Sequence, residues 1–230
     1  MNAIIGRVLE FEKNVYARHK ELYGRLAQHG QSPKALMISC ADSRIVPEQI
    51  LQAEPGELFV TRNAGNIVPP FSTVNGGVSS AVEYAVMALG VTDIIVCGHS
   101  GCGAMAGLLK PGALDEMPNV AAWLRHSHAA KSVVHKCYPT LKGDEQARAL
   151  GLENVVIQLA HLRTHPSVAA GIARGQLALH GWFVDIHAGA ILALDESTGQ
   201  FRTVKDNEPL PVALPHGERL AASNAVELTA

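Results

Sequence analysis

Two segments, Ile38-Ser39-Cys40-Ala41-Asp42-Ser43-Arg44 and Cys97-Gly98-His99-Ser100-Gly101-Cys102-Gly103, each follow a short apolar, β-like run, Ala35 to Ile38 and Asp93 to Val96. In a parallel sheet both runs would open their C-terminal ends onto the same edge. That placement brings Cys40, His99 and Cys102 around one point. Two thiolates and one imidazole make three protein ligands and leave a fourth position for water, the donor set of a catalytic rather than a structural zinc. Cys40 alone would read as a buried thiol and His99 alone as a core histidine; with Cys102 three residues beyond His99, the joint pattern favours a metal.

The remaining periodicity fits that sheet. Ile4, Ile5, Val8, Leu9, Phe11, Val15, Tyr16, Leu22, Tyr23 and Leu26 recur near helical spacing, which predicts one or two amphipathic helices ending before Gly30. Beyond the first strand the pattern predicts a short helix near 47–52, a strand at 58–61, and a helix over 77–89 that Gly90 ends. After the second cysteine segment, helices are expected at 104–109, 121–135, 144–162 and 167–173, with Pro166 suited to a first turn. Strands at 177–186 and 190–194 follow. Alternating strands and helices imply an α/β fold: a mainly parallel β-sheet flanked by helices, with an N-terminal helical arm. The chain is read as a single domain over 1–230, with the arm at 1–30, an α/β zinc core at 31–200 and a C-terminal tail at 201–230.

Composition narrows the partners. In 230 residues, 47% apolar and 17% charged content is enough for one sizeable core, and a net charge of -2 offers no field for nucleic acid or an anionic membrane. Residues 1–20 mix charges with apolar residues, so no signal-peptide core is expected, and no stretch is long and apolar enough to span a bilayer. The expected location is the cytoplasm, where thiolates serve metals rather than a disulfide framework. Cys97 and Cys137 fall outside the cluster, and Cys97, in a β-run, is expected to be a small buried hydrophobe.

Cys-x-Asp-x-Arg followed by His-x-x-Cys resembles the zinc site of the β-class carbonic anhydrases. Similar segments extend through Glu57 to Asn66, Ser80 to Ala85, and His180-Gly181-Trp182, so the resemblance covers about 31–189. It implies one zinc ion per chain on Cys40, His99 and Cys102, and reversible hydration of carbon dioxide to bicarbonate and a proton. It further implies that Arg44 holds Asp42, that Asp42 accepts a hydrogen bond from the water activated by the metal, and that Gln31, Phe59, Ala64, Tyr84 and Gly103 contribute to substrate binding. Asp42 is also a possible fourth ligand in a closed state of the site. Members with a bicarbonate-binding regulatory pocket carry a tryptophan where this chain has Met37, which, with Gln31, Phe59 and Tyr84, favours the open state. Two thiolates cancel the formal charge of the dication, so activity is expected to rise into mildly alkaline solution. A homodimer or dimer-based higher oligomer is implied, with Gln31 or Tyr84 reaching a neighbour's zinc.

Three other readings use the same residues. Gly101, Gly103 and Gly107 follow a strand like a dinucleotide loop, but the last spacing is one residue long and no acidic residue follows where a ribose would need one. A structural or redox-sensing zinc protein would close its site with Asp42 and hydrate no carbon dioxide. A carbon disulfide or carbonyl sulfide hydrolase on the same scaffold would release hydrogen sulfide. Arg62 and Asn63 read equally well as structural or functional.

Overall fold

The computed structural model describes residues 2–74 and 76–204. Its first elements are α1 (Asn2–Glu10), a π-helical segment at 11–16 and α2 (Ala17–His29), which Gly30 ends with φ at 78°. Then come β1 (Ala35–Cys40), α3 (Pro47–Ile50), β2 (Leu58–Asn63), α4 (Gly77–Met87), β3 (Asp93–His99) and α5 (Gly103–Leu109). The C-terminal half holds α6 (Pro118–Leu124), α7 (His128–Cys137), α8 (Gly143–Leu162), α9 (Pro166–Ala173), β4 (Ala178–Asp185), β5 (Ala190–Asp195) and β6 (Gln200–Thr203).

The six strands form one sheet in the order β2-β1-β3-β4-β5-β6. β2, β1, β3 and β4 run parallel; β5 and β6 add an antiparallel end. Both faces of the parallel part are covered, which is why its strands read as continuous apolar runs rather than alternating ones. On one face Leu36, Ile38, Ile94, Val96 and Phe183 pack with Val82, Val155 and Leu159 of α4 and α8. On the other, Met37, Ile95 and Cys97 pack with Leu51, Trp182 and Val184.

The helix predicted over 121–135 is two helices, α6 and α7, joined by a 3-10 turn at 125–127. A turn there lets α6 and α7 cover different neighbours while Ser127 tucks under α8 with its hydroxyl on Asn154. Residues 201–203, assigned to the tail, pair with β5 as part of β6; the rest of the proposed tail lies outside the described residues.

α8 lies unusually close to the sheet. A Cβ at Gly98 would stand 2.9 Å from Val155 Cγ2, and one at Gly181 would stand 2.9 Å from both Leu159 and Val155. These strand glycines let α8 settle across β3 and β4, and its middle, Ala149 to Val155, is buried on every side. Among the described residues no helix is long and apolar enough to cross a membrane.

Candidate metal centre

β1 ends at Cys40 and β3 at His99, next to each other at the C-terminal edge of the sheet, and Cys102 caps the N-terminus of α5 three residues later. Gly101, with φ at 64°, makes the turn between strand and helix. The connection from β1 leads to β2 on one side and β3 lies on the other, so the edge between them is the crevice where open α/β sheets bind ligands. All three side chains are buried, and their donor atoms lie within 4.8 Å of one another.

The donor set fits a zinc ion. The Cys40 and Cys102 sulfurs are 4.0 Å apart, and two thiolates on one tetrahedral zinc at ~2.3 Å would be about 3.8 Å apart. His99 Nδ1–H donates to the Ser100 carbonyl at 2.9 Å, which fixes the tautomer with Nε2 as the bare lone pair. That Nε2 is buried without a hydrogen-bond partner among the described residues. The two thiols also cannot both ionise unaided. The Cys102 thiol, donating to Cys40, holds Cys40 well below the ordinary thiol range, while the same neighbour, with burial, pushes Cys102 far above it. A dication between the sulfurs removes that conflict and makes both thiolates favourable. The amides of Ala104 and Met105 in the first turn of α5 also favour charge on Cys102.

Asp42 and Arg44 stand beside this cluster. Arg44 donates from Nε to Asp42 Oδ1 at 2.9 Å and from Nη2 to Oδ2 at 2.8 Å, and its backbone N–H adds a third bond to Oδ1 at 3.0 Å. These bonds from the guanidinium hold the Asp42 carboxyl well below the usual carboxylate range, and Asp42 Oδ2 lies 3.9 Å from His99 Nε2. Arg44 Nη2 also reaches the Gly101 carbonyl at 3.0 Å, tying the loops after β1 and β3 together.

Arg62 and Asn63 support the centre without reaching into it. Arg62 donates to the carbonyls of Cys40 and Asp42, at 3.1 and 2.7 Å, and the Asn63 amide accepts from Ile67 N–H and donates to its carbonyl. Ala64 follows β2 at this edge and its carbonyl accepts from Trp123 Nε1 at 3.0 Å; Gly103 opens α5. Cys97 is fully buried and its thiol is pushed up to about 12, chiefly by burial, whereas Cys137 is exposed.

Three residues expected in the pocket are not brought to this protomer's own cluster. Phe59 pairs with Leu36, four positions before Cys40, or roughly 13 Å along the strand. Tyr84 stays with Phe59, their ring centroids 5.9 Å apart, and is half exposed. Gln31 precedes β1 at the opposite edge of the sheet, roughly 17 Å or more from Cys40. A parallel strand separates its two ends by its full length, so a residue before β1 stays far from Cys40 within one protomer.

Comparison with known proteins agrees with this geometry. The carbonic anhydrase family model matches residues 35–191. A carbonic anhydrase from Pseudomonas aeruginosa is 48% identical over 207 residues, covering 90% of this chain and 93% of that protein. Among solved structures, the β-carbonic anhydrase CcaA is 42% identical with a TM-score of 0.86, over 92% of this chain and 95% of that one. A β-carbonic anhydrase described as tetrameric, from Sordaria macrospora, is 29% identical with a TM-score of 0.73, over 84% and 95% of the two chains. With its sheet, its sequence and its Cys-His-Cys edge in agreement, the chain belongs to the carbonic anhydrase family, in the β class, and is a lyase of that family.

Proposed function

We propose that the chain hydrates carbon dioxide reversibly to bicarbonate and a proton in a zinc-dependent reaction, with Cys40, His99 and Cys102 holding one zinc per chain. The observation that carries this reading is the convergence of two sulfurs and an unpartnered imidazole nitrogen beside an arginine-held carboxylate. Zinc bound there would supply a water acidified toward neutral pH, a nucleophile strong enough for a neutral substrate.

The protein's own groups set direction. Asp42, ionised throughout the working range, accepts a hydrogen bond from the attacking water and points the free lone pair toward carbon. Arg44, engaging both carboxylate oxygens, stops Asp42 from rotating or turning to the metal, which supports the open state of the site. Ala64 borders the crevice, and the Gly103 turn shapes it. Phe59, Tyr84 and Gln31 serve a partner's site, since each lies far from its own Cys40; apolar rings suit a substrate without a net dipole, and the Gln31 amide suits one of its oxygens.

That arrangement requires assembly. α1 and the segment after it leave Ile4, Ile5, Val8, Leu9 and Phe11 exposed, a stripe that favours packing on a second copy. We read the chain as one domain, with residues 1–30 as an arm on a core of 31–200, forming a homodimer or a dimer-based assembly in the cytoplasm. Its partners are the small-molecule substrate and other copies of itself, not nucleic acid or membrane. Stopped-flow carbon dioxide hydration, run with metal analysis on the full chain and on Cys40→Ser, tests the proposal. Expected is one zinc per chain with rapid turnover, both lost in Cys40→Ser; full turnover by a zinc-free chain would overturn it.

A further inference from the structure

β1 and β2 pair in parallel as far as Cys40 and Asn63, and one last backbone bond, from Ala41 N–H to the Asn63 carbonyl at 2.9 Å, carries the ladder a residue further. There the two chains part. Gly65, with φ at 79°, turns the chain after β2 away, and Ala64 to Phe71, in neither helix nor strand and with prolines at 69 and 70, follows α8 instead. Asn154 Nδ2 donates to the Gly65 carbonyl at 2.9 Å, and Gln158 Oε1 accepts from Val68 N–H at 2.8 Å. Asp42, next in line after Ala41, is left without a strand of β2 beside it.

The Arg62 side chain takes the place of that strand. From a position paired with Ser39 it reaches past the end of the ladder, donating from Nε to the Cys40 carbonyl at 3.1 Å and from Nη2 to the Asp42 carbonyl at 2.7 Å. A planar guanidinium offers these two N–H groups at a fixed separation, so the carbonyls they meet are fixed relative to each other. An arginine near the end of an edge strand ordinarily extends into water; Arg62, on the edge strand β2, turns two donors onto main-chain oxygens.

Asp42 is thus held by two arginines in two different places. Arg44 meets both oxygens of its carboxylate, whereas Arg62 meets its main chain, where the Asp42 carbonyl also accepts from Ile45 N–H at 3.0 Å. Arg44 sets how the carboxyl is turned. Arg62 sets where the residue that bears it stands, and with it the 3.9 Å between Asp42 Oδ2 and His99 Nε2.

We propose that Arg62 is a positioning residue for Asp42: by bridging the Cys40 and Asp42 carbonyls it fixes the turn that carries the carboxylate to the crevice. The inference rests on the reading of Asp42 as the group that directs the attacking water. A displaced carboxylate keeps its charge but no longer accepts along the line that aims the water, and a small misplacement of that kind is felt in the transition state. Turnover falls, while binding of the substrate does not change.

The test measures stopped-flow carbon dioxide hydration and zinc content on the full chain and on Arg62→Met, alone and combined with Arg44→Ala. Arg62→Met keeps the aliphatic stem and removes both donors; Arg62→Lys keeps the charge without the fork. Expected in whichever Arg62 variant folds is a kcat lower by about tenfold, the size typical of a group that orients another beside a metal, with KM and zinc content unchanged. Because both arginines act through the placement of one carboxylate, the double variant loses less than the product of the two single losses. Full activity in a folded Arg62 variant, losses that multiply, or a fall in kcat that tracks missing zinc would each overturn the positioning role. Full activity in Arg44→Ala alone would instead overturn the reading of Asp42, and the positioning role with it.

Discussion

Replacing Arg44 separates the orientation of Asp42 from its charge. The guanidinium meets both carboxylate oxygens, at 2.9 and 2.8 Å, and ties Gly101 in at 3.0 Å, while touching none of the three metal ligands. In Arg44→Ala the carboxyl loses two charge-assisted bonds and is left with one, from the backbone N–H of residue 44 to Oδ1, so Oδ2 is no longer held. Its pKa then climbs toward the ordinary value of about 3.9, so it still carries its charge at any pH near or above neutrality. The lost turnover is therefore a uniform factor, of the order of 10 to 100-fold for a group that orients another beside a metal, and the shape of the pH profile above neutrality is unchanged. The Arg44 side chain is half exposed, so melting should move little. Arg44→Lys keeps the positive charge but cannot contact two oxygens in one plane, and should recover little of the loss. The assay is stopped-flow hydration from about pH 6.5 to 8.5, with zinc content measured on the same samples. Full activity in Arg44→Ala, full recovery in Arg44→Lys, or a loss that tracks missing zinc would each refute the reasoning.

Metal analysis of single cysteine variants should show that Cys40→Ser and Cys102→Ser lose the zinc, whereas Cys97→Ser and Cys137→Ser keep one ion per chain. Gly98→Ala puts a methyl group 2.9 Å from Val155 Cγ2 and 3.2 Å from Phe183, an overpacking that should destabilise by about 1 to 3 kcal/mol. Calorimetry should then record a melting temperature lower by about 2 to 12 °C, and an unchanged one would contradict the close approach of α8. Gln158→Leu leaves the buried Val68 N–H without its 2.8 Å acceptor and should cost about 1 to 3 kcal/mol in denaturant unfolding. A chain beginning at Gln31 should form a smaller assembly than the full chain by light scattering, and equal masses would remove the arm from the interface.

The candidate metal centre is legible in the sequence because its residues fall in two short segments. Cys40 and His99 each end an apolar run that becomes a buried parallel strand, Cys102 follows His99 by three residues at the start of α5, and the edge they share follows from that pairing. Asp42 and Arg44 are legible for the same reason, being two residues apart in one turn. The pocket residues differ: Phe59 and Tyr84 meet far down the strand from Cys40 and Gln31 lies at the other edge; for Gln31 the separation follows from strand rise alone, and the resemblance assigns Gln31 or Tyr84 to a neighbour's zinc. Asn154, Gln158 and Ser127 went unnoticed because a polar residue on a helix reads as a solvent-facing position. Only the packing of α8 against both the sheet and the proline-bearing segment turns that polarity inward, and periodicity carries no signal for a partner that is itself irregular.

The proposed metal ligands lie in distant parts of the chain: Cys40 and Cys102 are separated by 62 residues. An ion shared by both is a clip across that loop, and it restricts the unfolded chain as well as organising the folded one. By the chain-entropy relation for a cross-link, closing a loop of this length removes disorder from the unfolded state equivalent to about 4 kcal/mol at room temperature. That is comparable with much of the net stability of an ordinary domain. Within the closed loop lie β2, α4 and β3, including two strands of the parallel sheet, so an ion held by Cys40 and Cys102 would also bias the chain toward the strand pairing from which the crevice is made.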